Sequence, residues 1–197
     1  MTYKPTPQIL DALKVSYTKY TGTSTANTLL GSSGADSIAA LAGDDTVLVN
    51  GNDLIYMDAG NDSMSMDTGL TSSTVYGGAG NDTFNGYQNL NNALLDGGAG
   101  TDTIRVTANA TTLTDAMFTN ITNVEKLDGD ADAEVTVTLG AQADEAGITT
   151  IVNEGNGAGS TTVLGSFDNA LSVELNTATV NDSVDASAAS NVLTVKT

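Results

Sequence analysis

The chain has 197 residues, with 24 Asp and Glu against six Lys and Arg, a formal net charge of -18, and neither His nor Cys. This charge argues against the basic surfaces that bind nucleic acid or anionic membranes. The sequence also contains no run of about 18 apolar residues, the length needed to span a bilayer. Without His and Cys, the usual zinc, haem and iron–sulfur sites, His-assisted nucleophiles and disulfides are excluded. Carboxylate and backbone oxygens remain as metal ligands, and they suit a hard cation such as calcium.

Residues 1–21 differ from the rest of the chain. Thr6 followed by Pro7 is a typical helix start, and apolar residues from Leu10 to Tyr20 follow at helical intervals. Half of the basic residues lie here, at Lys4, Lys14 and Lys19. We expect a short N-terminal helix that caps the first coil of a solenoid or docks on an acidic neighbour, and the two roles are compatible.

From residue 22 to residue 105 the sequence repeats with a nine-residue period. The pattern is GGxGxDxUx, where U is a large apolar residue. It is complete in 77–85 and 97–105, it keeps the fourth-position Gly, the Asp and the apolar residue in four more copies, and it is degenerate in 22–30. A fixed period of this kind is typical of solenoids.

These repeats resemble the RTX calcium-binding β-roll, the nonapeptide repeat of bacterial proteins exported by type I secretion. The resemblance implies calcium ions held between adjacent turns by Asp carboxylates and loop carbonyls. It also implies a secreted, extracellular or cell-surface location. Further on, ITNVEKLDG, LGAQADEAGITTI and DASAASNVLTV are similar to segments between RTX blocks in calcium-dependent S-layer and surface proteins.

The repeat chemistry predicts the coil. Gly permits a tight turn, the Asp ends it, and the U residue points inward from a short strand. Two units close one flattened coil, so equivalent residues meet in alternate copies. The predicted inward positions are Ile38, Val47, Ile55, Met64, Val75, Phe84, Leu94 and Ile104.

The Asp residues then fall on two faces. One face carries Asp45, Asp62, Asp82 and Asp102, and the other carries Asp36, Asp53, Ser73 and Asn92, with Asn91 as an alternative register. We expect the six Asp residues to bind calcium as one long ladder and one that stops early, and Ser73→Ala to be near neutral. The alternative is solvated turn residues without metal. All eleven acidic residues before position 106 are Asp, the shorter side chain that a tight loop needs.

Residues 106–197 contain short β-rich runs at even spacing: VEKL (124–127), VTVTL (135–139), TTIV (149–152), TTVL (161–164), LSVEL (171–175), DSVD (182–185) and VLTV (192–195). They predict a parallel β-solenoid that continues the roll and ends in an open C-terminal strand, with a sandwich as the competing fold. Helical turns are predicted within 113–121 and 143–147. The chain is thus an all-β protein with three parts: 1–21, 22–105 and 106–197.

Two weaker motifs lie in this second half. Asp128, Asp130 and Asp132 imitate the start of an EF-hand loop, but Ala133 and Leu139 stand where Gly and Glu belong. We expect a polar turn, with an irregular calcium site as the alternative. The segment 181–184, Asn-Asp-Ser-Val, echoes the repeat without a preceding Gly.

We expect no enzyme activity, since the Asp residues are already explained as turn residues. The predicted function is a secreted, calcium-dependent structural protein that self-assembles head-to-tail into extracellular filaments or matrix. Its expected partners are copies of itself, with cell-surface polysaccharide as a further candidate, but neither nucleic acid nor an inserted membrane. The alternatives are a calcium-folded RTX export or adhesion module of a larger secreted protein, or an S-layer subunit.

Overall fold

The computed structural model describes residues 16–66, 73–86, 93–107, 111–129, 135–153, 159–175, 182–189, 191 and 193–196. Nearly all of these residues belong to one stack of parallel β-coils, in which every strand pair runs parallel. This all-parallel pairing confirms the β-solenoid and excludes the antiparallel sandwich. Within the described ranges, no helix has the length and apolar character needed to cross a bilayer.

The strands form three sheets. Sheet 1 contains β1 (Thr18–Thr21), β3 (Asp36–Ala39), β5 (Leu54–Tyr56), β7 (Thr74–Ala79), β9 (Leu94–Ala99) and β12 (Ile121–Thr122). Sheet 2 contains β2 (Thr28–Leu30), β4 (Thr46–Val49), β6 (Ser63–Met66), β8 (Thr83–Asn85), β10 (Thr103–Val106), β13 (Lys126–Gly129), β15 (Thr150–Asn153), β17 (Leu171–Leu175) and β19 (Leu193–Lys196). Sheet 3 contains β11 (Thr111–Leu113), β14 (Val135–Leu139), β16 (Ser160–Val163) and β18 (Ser183–Asp185).

The coil changes shape along the chain. One turn takes 18 residues from Thr28 to Thr46 and 20 residues from Thr83 to Thr103, and sheets 1 and 2 then form its two sides. From β11 onward a turn takes 22 to 24 residues, as from Thr150 to Ser172 and from Lys126 to Thr150, and sheet 3 adds a third side. The longer turns leave room for a 3₁₀ helix, Asp115–Phe118, within the predicted 113–121, and for an α-helix, Ala141–Ala146, which overlaps the predicted 143–147 but begins two residues earlier.

The core is the column of inward side chains between the sheets. Seven of the eight predicted inward residues are buried, but Leu94 is 44% exposed and Leu95, 1% exposed, takes its place. The prediction for Leu94 was wrong by one residue. An insertion precedes this strand, and a one-residue slip moves every side chain of a strand to the opposite face.

The seven predicted strands of the second half are present, whereas β11 and β12 were not predicted. At the other end of the chain, the prediction of a helix extending to Tyr20 is wrong for Thr18–Thr21. These residues form β1, and Tyr20 pairs with Ile38 in β3. Two Thr and one Tyr in four residues favour a strand, and pairing with β3 overrides the helical spacing. The rest of the predicted helix, in residues 1–15, lies outside the described residues.

Candidate metal centre

Four Asp residues stack in one column beside sheet 2, which we call the long column. Asp45, Asp62, Asp82 and Asp102 each immediately precede a strand of that sheet, and each is at most 2% exposed. Backbone N–H groups connect them: Asp45 donates to Oδ1 of Asp62 at 2.7 Å, Asp62 to Asp82 at 2.8 Å, and Asp82 to Asp102 at 2.7 Å. The repeat therefore brings together the four carboxylates that the sequence assigned to one face.

The long column extends one residue further at each end. The N–H of Asn27 donates to Oδ1 of Asp45 at 2.6 Å, and the N–H of Asp102 donates to Oε2 of Glu125 at 2.8 Å. Sequence reasoning missed Glu125 because it looked for Gly and Asp. The sequence did contain a signal, since Asn123, a residue type that tolerates positive φ, stands at the fourth repeat position and the apolar Leu127 at the eighth. In the structure Asn123 has a φ of 53° and Leu127 is buried.

A second, shorter column lies beside sheet 1. The N–H of Asp36 donates to Oδ1 of Asp53 at 2.9 Å, and the N–H of Asp53 donates to the Ser73 hydroxyl at 3.0 Å. Ser73 in turn donates to the carbonyl of Gly51 at 2.8 Å. The pairing of Thr74 with Leu94 places Ala93 next to Ser73 in this column. Asn92, and Asn91 as its alternative, lie outside the described residues.

The second oxygen of five of these carboxylates is buried and has no hydrogen-bond partner; these are the Oδ2 atoms of Asp45, Asp53, Asp62, Asp82 and Asp102. Asp36 differs, because its Oδ2 accepts from the N–H of Ser32 at 2.5 Å and from the Ser32 hydroxyl at 3.0 Å. Burying an unpaired carboxylate oxygen is costly. A cation would remove that cost at each of the five.

The loops leave space beside these oxygens. A Cβ added at Gly77 would lie 2.5 Å from Oδ2 of Asp82, and one added at Gly97 would lie 2.8 Å from Oδ2 of Asp102. Loop carbonyls stack closely above one another, as where the carbonyl of Gly80 contacts Gly100, whose φ is +144°. In the described part of the chain no three acidic side chains converge on one point, so any cation would combine stacked Asp oxygens with backbone carbonyls, an all-oxygen set that suits calcium.

Burial raises the pKa of four of these carboxyl groups. Desolvation raises the pKa of Asp82 to about 7, against the lowering effect of the N–H of Asp62, and the neighbouring Asp102 and Asp62 charges raise it further. Desolvation likewise raises the pKa of Asp62 to about 6, and it raises the pKa of Asp53 and of Asp102. At these four positions the charged form is therefore disfavoured unless a cation balances it.

A column of more exposed side chains links the same loops through hydrogen bonds that run in the opposite direction along the stack. The N–H of Asn61 donates to Oδ1 of Asp44, that of Asn81 to Oδ1 of Asn61, and that of Thr101 to Oδ1 of Asn81, each at 2.8 Å. Here the earlier turn supplies the acceptor, whereas in the long column the later turn does. Each loop is thus hydrogen-bonded to both neighbouring turns.

The EF-hand-like segment is explained differently. Asp128 lies in strand β13, and its Oδ2 pairs with Arg105 at 3.1 Å and with Lys126 at 3.2 Å. Two cationic partners satisfy this carboxylate without a metal. Asp130 and Asp132 lie outside the described residues.

The described residues between 22 and 105 thus belong to a parallel β-roll whose loops carry stacked carboxylates with unpaired oxygens, an arrangement that suits calcium. A family model described as the RTX calcium-binding nonapeptide repeat matches four copies, at residues 21–49, 50–64, 67–88 and 94–110. The matched segments are therefore RTX calcium-binding nonapeptide repeats, and calcium is the ion expected for them. Comparisons with curated proteins and with solved structures gave no match.

Proposed function

We propose that this chain is a calcium-folded structural module of a secreted protein. The observation that carries the proposal is the set of five stacked carboxylates, each with one buried oxygen that has no hydrogen-bond partner. Calcium would bind between turns through Asp45, Asp62, Asp82 and Asp102 on the long column and through Asp53 on the short one. Asp36, whose two carboxylate oxygens already accept hydrogen bonds from Ser32, is the weakest of the six predicted ligands.

In this proposal calcium supplies folding free energy, because the sites exist only when the turns are stacked. At cytosolic calcium the charged chain stays loose and suitable for export, which agrees with the type I secretion that the family implies. At roughly millimolar extracellular calcium, within the range of extracellular modules, it folds. The net charge of -18 strengthens this dependence, since repulsion opposes the compact state.

Circular dichroism of the chain, first with chelator and then with added CaCl₂, tests this function. Above about pH 7, where the buried carboxylates are charged, we expect a β-sheet spectrum and a cooperative melt with calcium only. The response to the same concentration of MgCl₂ should be much weaker, because magnesium prefers rigid octahedral sites and retains its water. A spectrum and melting temperature that do not change on chelation would contradict the proposal.

Head-to-tail assembly into filaments or matrix is a second, more specific function that we propose for the same module. Its support lies in β19, where Val195 is 45% exposed although it pairs with the fully buried Val173 in the inward column. At the opposite end of sheet 2 lies β2, where Leu29 is only partly buried. A second copy placing β2 beside β19 would extend the parallel sheet and cover Val195, and such a heterologous contact repeats into a filament.

Light scattering and electron microscopy of the full chain with calcium test this assembly. Val195→Lys should abolish particles larger than a monomer, while Thr194→Lys, a matched change at an exposed neighbour in the same strand, should reduce them less. Monomers of the unchanged chain at high concentration with calcium would refute assembly and leave the calcium-folded module intact.

A further inference from the structure

Within the described residues, one carboxylate outside the family-matched segments also has a buried oxygen without a hydrogen-bond partner, Oδ2 of Asp182. Asp182 immediately precedes β18 in sheet 3, so it lies on the side of the coil that the repeats do not use. Asp182, the acidic residue of the repeat-like segment, therefore lies at a position comparable with that of the repeat Asp residues.

The hydrogen bonds at Asp182 match those of the long column. The N–H of Gly159, in the preceding turn, donates to Oδ1 of Asp182 at 2.8 Å, and the N–H of Ser183 donates back to the carbonyl of Gly159 at 3.1 Å. The same two bonds, one in each direction, join neighbouring turns where Asp82 meets Asp102 and the strand that follows it. One carboxylate oxygen is used for the link between turns, and the other remains free.

Asn153 supplies a second unpaired acceptor at this place. It is 4% exposed, its Nδ2 donates to Oδ1 of Asp182 at 3.0 Å, and its Oδ1 is buried without a partner. A Cβ at Gly159 would collide with the Asn153 amide and lie 2.8 Å from the carbonyl of Val135. The small residue thus keeps three kinds of oxygen close together: carboxylate, amide and backbone carbonyl.

Among the described residues, no Lys or Arg forms an ion pair with Asp182. Arg105 and Lys126 bind Asp128, and Lys196 binds Glu174. Asp182 and Asn153 therefore each have a buried oxygen without a hydrogen-bond partner, as the stacked Asp residues of the roll do. Buried acceptor oxygens in one place are the donor set of a hard divalent cation.

We infer that the corner between sheets 2 and 3 holds an additional calcium site, with Oδ2 of Asp182 and Oδ1 of Asn153 as side-chain ligands. The site lies beyond the nonapeptide repeats and would hold together the last turns of the three-sided solenoid. The inference takes only the identity of the ion from the proposed function.

Counting bound calcium ions by native mass spectrometry of the full chain tests this site. Asp182→Asn retains an acceptor for the N–H of Gly159 but replaces Oδ2 with a donor, so this variant should bind one ion fewer than the unchanged chain. Asp185 is an exposed residue at the end of β18, and its carboxylate accepts from the N–H of Ser187. The control variant Asp185→Asn should therefore bind the full number of ions. A full complement of ions in Asp182→Asn would overturn the inference.

Asn153→Asp keeps the test decisive if Asp182→Asn does not fold. A second carboxylate should raise the calcium affinity of one site by about tenfold or more, because two charged oxygen ligands then face the ion. Unchanged affinity would overturn the site. Loss of ions in Asp82→Asn but not in Asp182→Asn would also overturn it while leaving the proposed function standing, whereas no calcium binding by the unchanged chain would overturn both.

Discussion

The backbone N–H of Asp82 donates a 2.7 Å hydrogen bond to Oδ1 of Asp102 in the next turn, while Oδ2 of Asp102 is buried without a partner. Each Asp of the long column thus divides its carboxylate between two tasks. One oxygen sets the spacing of the turns, and the other remains for a cation. The short side chain of Asp suits both tasks, because it keeps the carboxylate close to the backbone of the adjacent turn.

The calcium-free protein should become more stable as the pH falls. Burial raises the pKa of Asp82 to about 7 and of Asp62 to about 6, from 3.8 in the unfolded chain. The native state therefore binds protons more tightly than the unfolded state, and this contribution is full below about pH 4 and is lost as the pH rises through 6 to 7. Thermal melts in chelator between about pH 4 and pH 8 measure it.

Calcium should reverse this trend, because protons and calcium compete for the same oxygens. Calcium affinity is expected to fall as the pH drops below about 7, which calorimetric titration at several pH values would detect. A chelated protein that melts highest at neutral pH would show that the stacked carboxylates are not the groups that titrate.

The two columns should respond differently to substitution. Asp82→Ala and Asp102→Ala each remove a carboxylate with an unpaired oxygen, so each should lower the number of bound calcium ions or their affinity by at least about tenfold. Ser73→Ala, on the short column, should leave calcium binding unchanged. Isothermal titration of the three variants makes the comparison, and equal losses in all three would contradict the assignment of columns.

The structure changes what to expect for the stability of Ser73→Ala, which the sequence alone suggests is neutral. The Ser73 hydroxyl accepts from Asp53 and donates to Gly51, so its removal leaves a buried N–H and a carbonyl unpaired. The cost should be about 1 to 3 kcal/mol of unfolding free energy.

Much of the roll could be predicted because the nine-residue period states it directly. The period assigned Asp45, Asp62, Asp82 and Asp102 to one column, and it assigned the inward residues as far as Phe84. It failed at Leu94, where an insertion of unknown register intervenes and the sequence offers two adjacent leucines. Either leucine satisfies the apolar pattern, and only the pairing of Thr74 with Leu94 decides between them.

Other features depend on contacts between distant residues. Thr18–Thr21 becomes a strand through pairing with β3, although the preceding residues have helical spacing. The change from two sides to three follows from longer turns, and even strand spacing alone does not distinguish these shapes. Glu125 joins the long column only because Lys126 pairs with Thr103.

Glu125 should close the calcium ladder at its last acidic position. Thr149 occupies the equivalent place in the next turn, since Thr150 pairs with Lys126, and it offers no carboxylate. Glu125→Gln should therefore weaken the last calcium site by about tenfold, while Glu145→Gln, on the exposed face of the short helix, should have no effect. Calcium titrations compare the two variants, and matching affinities would place the end of the ladder at Asp102.

The register at β9 can be tested with two adjacent leucines. Leu95 is 1% exposed and belongs to the core, whereas Leu94 is 44% exposed on the outer face of sheet 1. Leu95→Ala should lower the free energy of unfolding by about 2 to 5 kcal/mol, because it removes buried apolar volume and leaves a cavity. Leu94→Ala should change it by no more than about 0.5 kcal/mol, as is usual at exposed positions. Urea unfolding at saturating calcium compares the two variants. A larger loss of unfolding free energy for Leu94→Ala than for Leu95→Ala would mean that β9 pairs one residue away from the register described above.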